Sequence, residues 1–330
     1  MPQTTYGSIG QRTAAWVVAE MLSHAEPVLI LSKFGQHKSI PKNKANSVKF
    51  RRPIPFPAAT TPLSEGVTPA ARQLQYEDVQ ASLAQYGDVV GITDHVQDMA
   101  EDPVLKDASS LCGEQGGATI EAVTWGAIRA GTNVFYANGA SRSGVNQPIT
   151  LAKQRAVTRL LKANKAKKVT KMAKSTVQWG TEAIDAAFIA VAHTNLESDI
   201  RDMTGFVPVE KYGSMKPLPY EIGKVEDVRY CLSPDLDAFV DGGGAAGSMI
   251  STSGTNADVY PVLYFGQEAY GCIPLKGSNA ITPKVTPVET TDSSDPLGQR
   301  GFVGWKAYFV AKILNEGWIA RLEVAATDNA

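Results

Sequence analysis

The sequence predicts an α+β fold on three observations. Apolar residues recur at helical spacing over 103–130, which predicts one long helix. Apolar and polar residues alternate over 302–325, which predicts strands joined by a turn. The region 187–280 mixes short strand and helix patterns. Helices and strands therefore both contribute substantially to the core.

Length and composition exclude several classes of protein. The chain has 330 residues, 43% of them hydrophobic, and its 32 Lys+Arg nearly balance 33 Asp+Glu for a formal net charge of −1. Such a chain can bury a large core as two domains or one elaborated fold. Disorder is excluded as the main state, and the bulk charge argues against a strongly basic nucleic-acid binder.

Cysteines and terminal patterns bear on the compartment. Cys112, Cys231 and Cys272 are far apart and form no CxxC pair, which is typical of reduced thiols and not of a disulfide framework or zinc site. The N-terminus lacks a secretory pattern, and no apolar run is long enough for a membrane helix. We expect a cytosol-like environment and no membrane partner.

The first 96 residues predict a short helix and a long antiparallel excursion. A capping box from Ser8 to Gln11 begins a helix over 9–25, and residues 28–31 form a strand or a buried connector. Alternation around 48–51 predicts a strand, and a second extended stretch covers 74–92, broken near Gly87 and Gly91. Between them lie prolines that no regular element accommodates: Pro53, Pro55, Pro57, Pro62 and Pro69. This arm has little core of its own, so we expect it to pack against a surface outside the arm.

The long helix is predicted from its ends and its apolar stripe. Asp102 is a candidate N-cap, Pro103 suits the first turn, and Gly131 follows the last turn. About 28 residues would span roughly 40 Å. Glycines 113, 116 and 117 indicate close packing or a bend. The predicted stripe is Val104, Ala108, Leu111, Cys112, Ile120, Val123, Ala127 and Ile128.

Downstream patterns predict alternating short elements. Strands are predicted at 134–136, 188–192, 225–232, 259–265 and 269–274, with helices at 150–165 and 197–203, a helix or loop up to about 176, and a loop over 241–258. At the C-terminus, residues 303–313 and 318–324 alternate on either side of Asn315-Glu316-Gly317. We expect a hairpin whose one apolar face packs on the long helix.

No motif predicts an active site, a cofactor or a metal. A single GxGxxG, formed by Gly242, Gly244 and Gly247, precedes a Ser/Thr/Gly run without helical pattern, so a mobile loop is favoured over a dinucleotide site. Glu197, Asp199 and Asp202 suit the start of a helix better than a catalytic pair. None of the histidines has metal-ligand spacing: His24, His37, His95 and His193.

Charge is strongly segregated along the chain. Residues 27–64 contain seven basic residues and residues 150–181 contain nine, and neither segment contains an acid. The rest of the chain carries 16 basic and 33 acidic residues. The two segments are solvated faces, or they bind the acidic surface of a neighbour or a polyanion. A nucleic-acid-binding protein that uses the basic segment 153–174 is therefore the alternative function.

An ordered series of short segments carries a resemblance to a known family. The segments are Gln11-Arg12-Thr13-Ala14-Ala15, His24-Ala25-Glu26-Pro27-Val28-Leu29, Lys33-Phe34-Gly35, Val48-Lys49-Phe50-Arg51-Arg52, Thr60-Thr61-Pro62-Leu63, Glu65-Gly66-Val67, Gln85-Tyr86-Gly87-Asp88-Val89, Gly131-Thr132-Asn133, Ile222-Gly223-Lys224-Val225 with Arg229, and Gly304-Trp305-Lys306. With these segments the chain resembles the major capsid proteins of tailed bacteriophages, in particular the N-four-type subfamily. The resemblance covers most of the chain and is strongest over 6–138.

The resemblance implies the tailed-phage major capsid fold. Its parts would be an N-terminal arm (1–47), an extended β-loop (48–96), a peripheral domain (97–186) with a spine helix (103–130), an axial domain (187–280), and a return to the peripheral domain through a terminal β-hairpin (281–330). The implied protein is not an enzyme. It assembles with itself, through loop and arm contacts, into an icosahedral shell around double-stranded DNA.

The resemblance also implies partners and a location. Copies would form hexamers and pentamers. Further partners would be a portal protein, with a decoration protein as another candidate, and packaged DNA, which the chain would contact weakly. Some proteins of this fold begin with a long helical scaffolding extension. Here the segments that match the family begin near residue 11, so we expect a separate scaffolding protein. Assembly would occur in the bacterial cytoplasm and the product would be the virion capsid. The candidate intersubunit residues are Lys49, Arg51, Arg52, Lys153, Arg155, Arg159 and Lys162.

Overall fold

A computed structural model describes residues 20–21, 29–38, 46–54, 56–63, 65–66, 68–99, 103–174, 180–213, 215–274, 281–288, 290–291 and 295–329. The helices in these residues are α1 (Asp94–Met99), α2 (Val104–Ile128), α3 (Leu151–Ala163) and α4 (Glu197–Arg201). The strands are β1 (Gln36–His37), β2 (Ser47–Pro53), β3 (Tyr76–Ser82), β4 (Ala84–Thr93), β5 (Val134–Tyr136), β6 (Val169–Lys174), β7 (Gly180–His193), β8 (Phe206–Pro208), β9 (Glu221–Val225), β10 (Val228–Ser233), β11 (Val259–Phe265), β12 (Tyr270–Pro274), β13 (Thr282–Thr286), β14 (Arg300–Ile313) and β15 (Ile319–Ala325).

The strands form three sheets. A five-stranded sheet has the order β1-β12-β14-β13, with β4 also paired to β14. An eight-stranded sheet has the order β5-β15-β11-β7-β10-β9-β8, with β6 paired to β7. Strands β2 and β3 form a separate antiparallel hairpin. Sheets and helices are both well represented, which confirms the predicted α+β class.

Two apolar cores lie on opposite faces of the eight-stranded sheet. Alternate residues of β7 divide between them: Ile189 and Val191 face the core shared with α2 and the five-stranded sheet, while Phe188 and Ala190 face the core under α3. Because both faces are covered, β10 and β11 are buried throughout and read as continuous apolar runs. The hairpin β2–β3 projects from these packed sheets.

The long helix α2 is close to its predicted bounds, and its glycines serve close packing. A Cβ on Gly113 would lie 2.3 Å from the backbone oxygen of Met21, and one on Gly116 would lie 3.1 Å from Ile281 Cδ1. Cys112, Ile120 and Ile128 are buried as expected. Leu111 was wrongly placed on the apolar stripe, because its side chain is 64% exposed.

The predicted terminal hairpin is wrong, although both of its strands exist. β14 pairs with β4, β12 and β13, whereas β15 pairs with β11 and β5 in the other sheet. A 3-10 turn over Glu316–Trp318, capped by the Asn315 side chain, redirects the chain between the sheets. β14 does pack on α2. In β15 both faces are covered, so even Glu323 is buried.

Three local predictions also need correction. The stretch 74–92 is interrupted at Leu83, not at Gly87 or Gly91, because β4 pairs continuously with β14 through both glycines. Residues 169–174, expected in a helix or loop, form β6. The single strand predicted over 225–232 is instead the hairpin β9–β10.

Some predictions are only partly covered. Of the helix predicted over 9–25, Glu20 and Met21 are helical, and the other positions, like Asp102, lie outside the described residues. For residues 28–31 the sequence left two alternatives, a strand and a buried connector. In the structure Ile30 and Leu31 are buried and form a connector. The domain assignment stays a prediction. α3, β5 and β6, placed in the peripheral domain by sequence, lie with the eight-stranded sheet.

Candidate assembly surfaces

The hairpin β2–β3 carries cross-strand charge pairs within the chain. Arg51 lies opposite Asp78, and Arg52 lies opposite Glu77. Arg51 donates from Nε and Nη2 to the two Asp78 carboxylate oxygens at 2.8 and 2.9 Å, which lowers the pKa of Asp78. Arg52 pairs with Glu77 through a single hydrogen bond, from Nη2 to Oε2. The two arginines predicted to meet a neighbour's acids therefore already have partners, while Lys49 is in no ion pair within the described residues.

The base of the hairpin is anchored on the body. Phe50 and Ala81 are buried against Ile273 of β12. Lys38 donates from Nζ to the Lys49 carbonyl oxygen at 3.0 Å and lies over the Phe50 ring. The hairpin is thus a fixed projection whose direction is set by β12.

Two sets of large apolar side chains remain exposed at different places. The tip set belongs to the far end of the hairpin: Ile54, Phe56, Leu63, Leu74 and Tyr76. The second set, here called the sheet-end patch, lies on β4, on α1 and on residues just before or in β14, with Val89 and Val90 on opposite faces of β4: Val89, Val90, Val96, Met99, Leu297 and Phe302. Sets of large exposed apolar side chains indicate candidate contact surfaces.

The basic segment on α3 is partly neutralised by the loop between β9 and β10. Arg155 donates from Nε to Glu226 Oε1 at 2.9 Å, and Lys162 lies 2.8 Å from Asp227 Oδ2. Lys153 donates to the Tyr136 carbonyl oxygen at 2.9 Å. Of the four residues predicted here, only Arg159 is exposed without an ion pair among the described residues. The structure does not bring these four together with Lys49, Arg51 and Arg52, which lie on the separate hairpin.

A buried carboxylate that the sequence did not reveal holds the N-terminal segment on α2. Glu121 is fully buried and accepts hydrogen bonds from the backbone N–H groups of Ile30 and Leu31, at 3.3 and 2.9 Å. Burial raises the pKa of Glu121 to about 7, although these hydrogen bonds oppose the shift. The only sequence feature that could have indicated this buried carboxylate is an acidic residue on the apolar stripe of the predicted helix.

Glu121 should make stability depend on pH. Because its pKa is higher in the folded state than the ordinary 4.5, its contribution is complete below about pH 4.5 and is lost as pH rises through about 7. The free energy of unfolding should fall by up to about 3 kcal/mol across this window. Denaturant unfolding at pH 5 and pH 8 should show a larger fall in the free energy of unfolding for the wild type than for Glu121→Gln. Equal falls in both proteins would contradict the assignment.

The other candidate sites have structural explanations. Residues 241–258 form an irregular but hydrogen-bonded excursion with no helix after Gly247, so they do not form a dinucleotide site. Glu197 and Asp199 lie in the first turn of α4, where Asp199 accepts hydrogen bonds from Thr327. In the described part of the chain, no cluster of three or more His, Cys, Asp or Glu could hold a metal ion. No helix there is long and apolar enough to span a bilayer.

Comparison with known proteins agrees with this geometry. A family model described as phage capsid protein matches residues 76–322. No curated protein sequence matches the chain. Solved structures do match. The capsid of Ralstonia phage GP4 has a TM-score of 0.66 at 12% identity, over 90% of this chain and 88% of that chain.

Two further structures cover nearly the whole chain. The capsid of cyanophage Pam1 has a TM-score of 0.60 at 13% identity, over 100% of this chain and 97% of that chain. The head of Helicobacter pylori bacteriophage KHP40 has a TM-score of 0.58 at 12% identity, over 99% and 95%. The two packed sheets, the long helix and the projecting hairpin are the fold of tailed-phage major capsid proteins.

The chain belongs to the phage capsid protein family. It is a structural, shell-forming protein of the virion capsid and not an enzyme, and copies of it associate in capsomers. Membership decides against the alternative of a dedicated nucleic-acid-binding protein. The N-four-type subfamily stays a prediction.

Proposed function

We propose that copies of this chain build the icosahedral shell of a tailed bacteriophage by placing the tip set of one copy on the sheet-end patch of the next. The supporting observation is the pair of exposed apolar sets on different elements of one subunit. A contact between two different patches is heterologous, and such contacts close into rings when the rotation permits. Hexamers and pentamers are the rings that this proposal requires.

Burial of apolar surface supplies the driving force for the proposed contact. Each removed square ångström of apolar surface contributes about 25 cal/mol before the costs of association. The strands of the hairpin lose little conformational freedom on docking, since Phe50 and Ala81 are already packed on Ile273. Modest contacts repeated around a closed shell then suffice for stability.

The remaining proposed partners are a separate scaffolding protein, a portal, a decoration protein and packaged double-stranded DNA, with assembly in the host cytoplasm. For DNA, the cations available on and after α3 are exposed and in no ion pair within the described residues: Arg159, Lys165, Lys167 and Lys171. Arg155 and Lys162 are less available because Glu226 and Asp227 neutralise them. We therefore propose only weak, salt-sensitive DNA contact.

Serine substitutions at the tip should abolish assembly without unfolding the subunit. Phe56→Ser/Leu63→Ser removes apolar surface that is already in water, so the thermal midpoint of the isolated subunit should hardly change. Shell formation, followed by negative-stain microscopy and sedimentation, should be lost. Leu111→Ser is the matched control, since Leu111 is equally exposed but lies in neither set.

Normal shells from the tip variant would overturn the proposed contact.

The same assay tests the role of the hairpin cations in intersubunit contact. The swap Arg51→Asp/Asp78→Arg preserves the pair within the hairpin but reverses its polarity. Impaired assembly of the swapped protein, with an unchanged melting temperature, is expected if Arg51 also meets a neighbouring subunit. Unimpaired assembly would remove Arg51 from the interface.

A further inference from the structure

We propose that a cleft formed by Arg129, Arg142 and Phe239 receives an acidic side chain from a second copy of this chain. The inference rests on the proposed self-assembly, but it concerns a surface distinct from the tip set and the sheet-end patch. The cleft has a volume of about 600 Å³ and lies where the end of α2 meets the loops 137–147 and 237–242. Its other lining residues are Asp237, Ala238, Val240 and Gly242.

Two guanidinium groups share one aromatic ring in this cleft. Arg142 Cζ lies 3.4 Å from the centroid of the Phe239 ring, and Arg129 Cζ lies 5.4 Å from it. A cation held over an aromatic face keeps its outer edge available for an anion. The ring therefore brings two positive charges to one place.

Arg142 is oriented by a buried carboxylate. Its Nε and Nη2 donate to Glu323 Oε2 and Oε1, both at 2.8 Å, and the Glu323 side chain is fully buried on β15. Nη1 of Arg142 takes part in no hydrogen bond within the described residues. Arg129 likewise forms no ion pair there. Arg142 can therefore bind an incoming acceptor through Nη1 while it stays paired with Glu323, and Arg129 can bind one without breaking an ion pair.

The loop 237–242 that lines the cleft continues into two glycines that are hydrogen-bonded and close-packed against neighbouring loops. Gly243 donates its N–H to the Ala257 carbonyl at 3.0 Å, and Gly244 donates to the Val145 carbonyl at 2.9 Å. A Cβ on Gly243 would lie 2.3 Å from the Val145 oxygen, so the two loops are in direct contact. A pre-organised site binds with a smaller entropic cost.

The lining defines the chemistry of the occupant. Three arginines (Arg129, Arg142 and Arg321, which also pairs with Glu323) stand against two carboxylates (Asp237 and Glu323), which leaves an excess of one positive charge suited to one carboxylate. Val240 is 59% exposed beside the arginines and offers apolar contact to the stem of that side chain or its neighbour. An acidic residue next to an apolar one fits this lining.

Charge complementarity identifies a second copy as the source. Outside its two basic segments the chain carries 33 acidic residues against 16 basic ones. A copy that approaches with a part outside its two basic segments therefore presents an excess of negative charge to a positive cleft. In a shell, copies are also the protein present at the highest local concentration.

Photo-crosslinking tests the contact directly. Val240 is replaced by p-benzoylphenylalanine, and assembled shells and dilute subunits are irradiated in parallel. Assembled shells should give covalent dimers in which the crosslinked peptide of the second copy contains Asp or Glu, and dilute subunits should give none. Shells that yield only crosslinks within one chain would overturn the inference.

Charge reversal provides an independent test. Arg129→Glu should raise the protein concentration needed for shell formation by at least about tenfold. The control Lys211→Glu reverses an exposed charge next to β8, at the edge of the eight-stranded sheet opposite to β5 and β15, and should change this concentration by less than about twofold. Equal assembly of both variants would overturn the inference. Failure of the wild type to assemble would instead refute the proposed function.

Discussion

Replacing Arg229 with alanine should lower the free energy of unfolding by about 3–5 kcal/mol, because it leaves a buried charge unpaired. The Arg229 side chain is 1% exposed, and it donates from Nε to Glu221 Oε1 at 2.7 Å and from Nη2 to Oε2 at 2.5 Å. Glu221 also accepts hydrogen bonds from the Tyr212 hydroxyl and the Leu218 N–H. Chemical denaturation at neutral pH measures the loss.

A matched control separates burial from ion pairing. Arg155 and Glu226 form the same kind of pair, but the Arg155 side chain is 61% exposed, so water replaces the lost partner. Arg155→Ala should therefore hardly change stability. Similar losses in both variants would contradict the argument. The double change Arg229→Met/Glu221→Leu should cost less than Arg229→Ala, since Nη1 of Arg229 has no hydrogen-bond partner even in the wild type.

Two glycine-to-alanine substitutions on α2 should have opposite signs. Gly126 has no atom within 4 Å of the position of an added Cβ, so Gly126→Ala should stabilise by about 0.5–1 kcal/mol through helix propensity. At Gly113 the Cβ would lie 2.3 Å from the Met21 oxygen, and Gly113→Ala should destabilise by about 1–3 kcal/mol.

The expected mechanism is displacement of the N-terminal segment from α2. Limited proteolysis should therefore cleave Gly113→Ala faster near Met21, while Gly126→Ala should be cleaved like the wild type. A stabilising effect of Gly113→Ala would show that the segment does not pack on this glycine.

Local patterns in the sequence were sufficient for the elements themselves. Helical spacing over 103–130 correctly predicted α2, the helix predicted over 150–165 is α3, and alternation predicted β2 and β14. These predictions succeed because a helix or strand is selected by residues a few positions apart. The resemblance to capsid proteins likewise rested on short segments in order, and the family match over 76–322 confirms it.

Pairings between distant residues could not be predicted in this way. Alternation in β14 and β15 looks the same whether the strands pair with each other or enter different sheets, and only packing on α2 and α3 decides between them. Likewise, Glu121 meets Ile30 across 91 positions, which no local pattern encodes.

The sequence by itself determined the α+β class, the projecting hairpin, the long helix and the family, since composition, periodicity and short motifs suffice for these. Only the tertiary structure decided which charges are already neutralised. Arg51, Arg155 and Lys162 looked available for a neighbour but are paired within the chain, while Arg129 and Arg142 are brought together only by folding. The physical reason is that the strength of a charge interaction depends on distance and burial, and both are properties of the fold.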